Sequence, residues 1–206
     1  MTVTPEEIYK NVKKNNMSKF YALDLLIYLI ETLHDENLRN DCLEIIEKIE
    51  INNDKLFDVL ENLLISDPNI IIRFRTLKLI TKRFLHKGIP ALSWALQHEK
   101  SLKNLVLILN SLKNTENQAV RDVFLKEINK ISLKEFKEEL DEFIEENSLG
   151  LSTNQDLAEI LINHAIVRSL KEKFKNLEFR VEKGLITHLD FSKTDFKKNG
   201  TTCKPV

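Results

Sequence analysis

Apolar residues recur at three- and four-residue steps over most of the chain, the spacing of a helix that buries one face. Thr4-Pro5-Glu6-Glu7 supplies an N-cap, a proline at the first helical position and acids in the first turn, so a helix is predicted from there to about Asn15. Ser18 caps a second, Lys19 to His34, with Leu23, Leu26, Ile27 and Ile30 on one face. Asp35 caps a third to Glu50, and Asn53 opens a fourth through Leu64. Asp67-Pro68 closes that helix and starts a fifth, which Gly88 ends as a left-handed stop. Further helices are expected over Pro90 to His98, Leu102 to Asn114, Gln118 to Ile131, Leu133 to Asn147 and, after the cap Thr153, to about Lys175.

Beyond Lys175 the period becomes two. Leu177 to Val181 alternates, Lys183-Gly184 offers a turn, and Ile186 to Phe191 has the composition of a second strand. An isolated hairpin is marginal in water, so this one must dock on the helices or pair with more strands. The resulting plan is a helical region over 1–175, a β-hairpin over 176–196 and a flexible tail over 197–206.

Three arginines reveal an internal repeat. Aligned on Arg39, Arg73 and Arg121, the residue just before is Leu38, Ile72 and Val120; four after are Leu43, Leu77 and Leu125; seven after are Ile46, Ile80 and Ile128. The match crosses the turn into the preceding helix, where Ile30, Leu64 and Leu112, then Leu26, Leu60 and Ile108, keep register. Each copy has an apolar stripe on two helices and buries both only by stacking on a neighbour. The longer gap between Arg73 and Arg121 leaves the Pro90 to His98 helix as an insertion or as a degenerate repeat helix.

The segment LENLLISDPNIIIRFRTLKLI, Leu60 to Ile80, resembles a HEAT repeat: a leucine-rich helix, an Asp-Pro turn, then a hydrophobic-Arg pair. That resemblance, over Ser18 to Ile131, implies an all-α fold, a short right-handed α-solenoid of stacked HEAT-like hairpins of the armadillo type. It also implies that Asp67 and Arg73, with Arg39 and Arg121 at the equivalent arginine position, belong to a structural ladder between repeats. Asp67 is matched by Leu33 in the first copy and Thr115 in the third. Ile186, Leu189, Phe191, Thr194 and Phe196 are similar to one leucine-rich repeat, which implies either the entry to such an array or a cap on the helical stack.

Composition narrows the function. In 206 residues there are four glycines, four prolines and two cysteines, Cys42 and Cys203, which excludes a disulfide framework and a phosphate-cradling glycine loop. Met1 to Glu7 has neither the basic start nor the apolar core of a signal peptide, and the apolar run Leu25 to Ile30 is far short of a bilayer span. A cytoplasmic protein without a membrane segment is expected. The histidines 34, 86, 98, 164 and 188 show no metal-ligand spacing, and His188 with Asp190 is a pair rather than a site. The acids from Glu138 to Glu146 read as a solvated helix face. No catalytic residue, cofactor or metal is assigned, so the chain reads as a non-enzyme.

The net charge of −1 conceals alternating blocks. Residues 31–61 carry ten acids and three bases, and residues 67–104 eight bases and two acids. Opposite blocks can attract each other across stacked units. The basic block instead offers Arg75, Lys78, Lys82 and Arg83 as candidate partner-binding residues. The expectation is a scaffold or adaptor whose helical surface binds a protein partner, acidic where it meets that block. The alternative is a nucleic-acid-binding protein resembling HEAT-like DNA glycosylases, against which the near-zero net charge and the want of interleaved aromatics argue; Trp94, Phe74 and Phe84 suit a core equally well.

Overall fold

The computed structural model describes residues 3–134, 136–138, 140, 153–198 and 201–203. The chain is mostly helical with a small antiparallel β region near its C-terminus, and it divides into two compact units, Met1–Asn104 and Leu105–Val206.

The first unit holds α1 (Pro5–Lys13), α2 (Lys19–Thr32), α3 (Glu36–Ile49), α4 (Asp54–Ser66), α5 (Ile70–Arg83), α6 (Leu85–His98) and the start of α7 (Leu102–Leu112). Local chemistry sets most of these boundaries. Thr4 and Glu7 form a reciprocal capping box on α1, and the side chains of Ser18, Asp35 and Asn53 accept from the first free backbone N–H groups of α2, α3 and α4. The fifth helix departs from expectation. Asp67 closes α4, but Asn69 is the residue whose side chain caps α5 at Ile71 and Ile72. The helix also stops early, at Arg83, and Phe84 (φ −133°, ψ 26°) lets the chain turn into α6.

Gly88 is therefore not a stop. It sits inside α6, two residues before Pro90, and a Cβ there would lie 2.4 Å from Ile80 Cγ2 on α5. The glycine is needed for close approach of two helices, a requirement with no local signature. The repeat register expected from sequence is carried by burial: of the fifteen aligned apolar positions, thirteen are buried and only Leu38 and Leu125 are half-exposed. Within the first unit, α2 packs on α3, α4 on α5, α3 on α5, and α4 and α5 both on α6, while α1 lies against α2 and α3.

The second unit contains most of α7, α8 (Gln118–Ile128) and α9 (Asn154–Lys173), with a helical stretch around Phe136. The expected helix Leu133 to Asn147, with its acidic run, falls largely outside the described residues. Thr153 and Asp156 make a second capping box on α9, which packs on α8, and Asn154 Nδ2 donates to the Thr115 carbonyl at 2.6 Å. Strands β2 (Glu178–Glu182) and β3 (Leu185–Asp190) form the expected hairpin. Lys183 (φ 52°) and Gly184 (φ 78°) are both left-handed, which matches the turn to the twist of the strands. Gly184 also lies where a Cβ would meet Ile160 of α9 at 2.6 Å, and Asn163 Oδ1 accepts from the Ile186 N–H at 3.1 Å, so the hairpin docks on that helix. Phe136 packs edge-on to His164 at 5.5 Å; burial, then the nearby Arg168, lowers that imidazole to a pKa of about 4.

A second sheet escaped the sequence reading. Strand β4 (Asp195–Lys198) pairs with β1 (Phe174–Lys175) and β5 (Thr201–Cys203), so part of the segment expected as a flexible tail carries strand backbone. These strands are two to four residues long and show no alternation to read.

Gly88→Ala is expected to lower stability by about 1–2 kcal/mol, because overpacking against Ile80 outweighs the gain in helix propensity. A urea denaturation midpoint at or above that of the parent would show that α5 and α6 are not in the close contact described.

Candidate protein-binding surface

The four basic residues assigned to a partner are on α5, and three of them face α3. Arg75 donates through Nε to Asn40 Oδ1 and through Nη2 to Glu44 Oε2 at 2.8 Å. Lys78 Nζ lies 3.3 Å from Glu47 Oε1, and Arg83 donates to the backbone carbonyls of Glu47 and Ile51. Arg83 thereby satisfies carbonyls at the C-terminal end of α3, the negative end of its dipole. Of the four, only Lys82 is exposed with no ion pair to a described residue. The basic block is thus largely turned on the acidic block before it. The first helices of successive pairs are tied similarly, Lys55 of α4 to Asp24 of α2 and Lys87 of α6 to Asp54 of α4, each at 2.7 Å.

At the turns the ties are buried. Asp67, the C-cap of α4, is 2% exposed and receives Arg39 Nη1 of α3 at 2.5 Å, while its other oxygen accepts from the Asn69 N–H. Arg73 of α5 reaches forward in the same way, gripping Glu99 in bidentate fashion at 2.9 and 3.0 Å while Nη1 donates to the carbonyls of Asp67 and Pro68. Glu99 is the C-cap of α6 and only 3% exposed. Burial would raise its pKa, yet donation from Arg73, Asn104 and the N–H groups of Ser101 and Lys100 holds it at about 2. Arg39, Asp67 and Arg73 therefore meet in consecutive rungs, and the residue that completes the second rung, Glu99, was missed. The sixth position after Asp67 is Arg73 but the sixth after Glu99 is Leu105, so no local motif in the sequence marked Glu99. Arg121 lies elsewhere, on α8 in the second unit, where it lines a polar cavity of about 440 Å³ with residues of 113–118 and 153–155.

Above the second rung lies a groove of about 270 Å³. Leu64, Ile65, Trp94 and Ala95 form its apolar walls, and Arg73, Glu99 and Lys100 its polar end. Trp94 is 38% exposed and stacks on His98, with ring centroids 4.1 Å apart and an interplanar angle of 16°; it lines the surface rather than the core. The 3.6-residue period of α6 separates these two from its buried face, as Ala91, Leu92, Ala95 and Leu96 point inward. Phe74 and Phe84 remain half-buried, under Lys103 Nζ at 3.7 Å and against Phe57 respectively. Among the described residues no group of three or more His, Cys, Asp and Glu is placed to hold a metal ion, and no helix is long and apolar enough to cross a membrane. Burial first, then the charge of Asp41, pushes the Cys42 thiol up to about 12, far from the range of a reactive thiolate.

Arg73→Met leaves Glu99 buried without its counter-charge and is expected to cost about 3 kcal/mol in a urea unfolding titration. The parent should also lose stability on acidification. The Glu99 carboxyl is lowered from its ordinary 4.5 to about 2, so its contribution is complete above pH 4.5 and is lost as the pH falls from there towards 2. Arg73→Met should remove most of that slope, and an unchanged slope would mean that the rung is not formed. Comparison with family models, curated proteins and solved structures returned no match.

Proposed function

We propose that the chain is a non-catalytic scaffold whose first unit is a stack of HEAT-like helical hairpins offering its outer surface to a protein partner. The resemblance around Leu60 to Ile80 and the forward-reaching rungs from Arg39 and Arg73 support this reading. By the same rungs, α6 is the first helix of the third hairpin rather than an insertion, because its C-cap Glu99 does for Arg73 what the C-cap of α4 does for Arg39. On this reading the hairpins stack in the right-handed sense that the resemblance implies.

The observation that carries the functional reading is the fate of the side chains. Arg75 and Lys78 of α5 are committed to Glu44 and Glu47 of α3, whereas several large apolar residues, Ile65, Ile70, Ile71 and Trp94 among them, stand 38 to 57% exposed around the ends of α4, α5 and α6. Soluble proteins seldom leave such groups contiguous unless something covers them. Apolar anchors in a preformed groove with a polar rim are the usual core of a protein interface.

In affinity capture from cell extract, the parent chain should retain discrete partners, and Trp94→Ala with Ile65→Ala should lose them at unchanged helicity. Identical capture profiles for parent and double variant would overturn the assignment of this surface.

A further inference from the structure

The outer face of α2 carries aromatic rings that no described residue covers. Phe20 is 66% exposed, Tyr21 58% and Tyr28 61%, and among the described residues none of the three rings stacks on another ring or receives a cation. Tyr21 and Tyr28 are two helical turns apart and share a face, with Asp24 between them. Each such ring represents roughly 150–250 Å² of surface, so together they expose an apolar patch of a few hundred Å².

The charge around the patch is predominantly negative. Helices α2 and α4 contain five acids against two lysines, and one of those lysines, Lys55, is bound to Asp24. Glu31 on α2 and Asp58 on α4 are exposed and pair with no described residue. Asp58 lies one turn along α4 from Lys55, as Tyr28 lies one turn along α2 from Asp24, so the shared ion pair brings acid and ring to neighbouring helices.

We propose that this face is a docking site for a basic protein segment, rich in lysine or arginine with interspersed apolar residues. It rests on the scaffold reading and names the partner's chemistry at a second face of the same unit. Exposed aromatic faces attract lysine and arginine, the uncommitted carboxylates supply ion pairs, and the rings cover the aliphatic stems of those side chains. Two other occupants are opposed by the same charge. A second copy would bring acid against acid across a two-fold contact, and an anionic lipid surface would be repelled.

The test uses the full chain and a fluorescein-labelled helix-forming peptide of leucine, alanine, arginine and lysine, followed by anisotropy at low salt and at about 0.15 M. The peptide should bind, with affinity falling as salt rises. Tyr21→Ser with Tyr28→Ser should weaken it by about tenfold or more, and Glu31→Gln with Asp58→Asn should weaken it several-fold and flatten the salt dependence. A peptide of the same length with glutamate replacing the bases should not bind, and Lys82→Glu should change nothing. Basic-peptide binding indifferent to the tyrosine pair would overturn the proposal, as would tyrosine-dependent self-association or tyrosine-dependent binding to phosphatidylserine vesicles. Capture that depends on Trp94 while the peptide fails would leave the scaffold reading intact and remove only this face.

Discussion

A buried carboxylate at the end of one helix, neutralised by an arginine from the preceding hairpin, is the constraint on which the first unit depends. Asp67 and Glu99 are both C-caps, their side chains are 2% and 3% exposed, and Arg39 and Arg73 reach them. Such a pair adds little when its geometry is loose, since desolvation offsets the attraction. Here the geometry is close, and the remaining lone pairs are taken by backbone N–H groups at Asn69, Lys100 and Ser101. The turn that follows each helix is thereby tied to the helix pair before it, which fixes the order in which the apolar stripes meet.

The same packing engages much of the conspicuous basic block within the first unit. Arg75, Lys78 and Arg83 are 31 to 32 positions along the chain from Glu44, Glu47 and Ile51, and the packing of α5 on α3 brings them together. The two ion pairs of this contact lie near the surface, with side chains 25 to 43% exposed. The surface we propose for a partner is the complementary set, the apolar and aromatic positions on the outward sides of α2, α4 and α6 that the helical period keeps away from the core.

Features governed by neighbours in sequence were legible. The caps Thr4, Ser18, Asp35, Asn53 and Thr153 lie where side-chain oxygens precede apolar periodicity, and the Lys183-Gly184 turn follows from its backbone needs. The buried apolar faces were legible too, because the helical period marks them in each helix. Features that depend on distant residues were not. Gly88 serves Ile80, Glu99 serves Arg73 and Asn104, and β4 finds β1 across the nineteen residues of chain between them. Trp94 looked like core because tryptophan often is; only the placement of Ala91, Leu92 and Ala95 turns it outward.

The central claim is that carboxylate–arginine rungs join successive hairpins, and a double-mutant cycle on the first rung tests it most directly. With Arg39→Met, Asp67→Asn and the pair compared by urea unfolding, the account predicts a coupling of at least about 1.5 kcal/mol, since either single change strands a buried partner and the double change does not. Additive losses, with coupling near zero, would mean that Arg39 and Asp67 do not depend on one another and would contradict it.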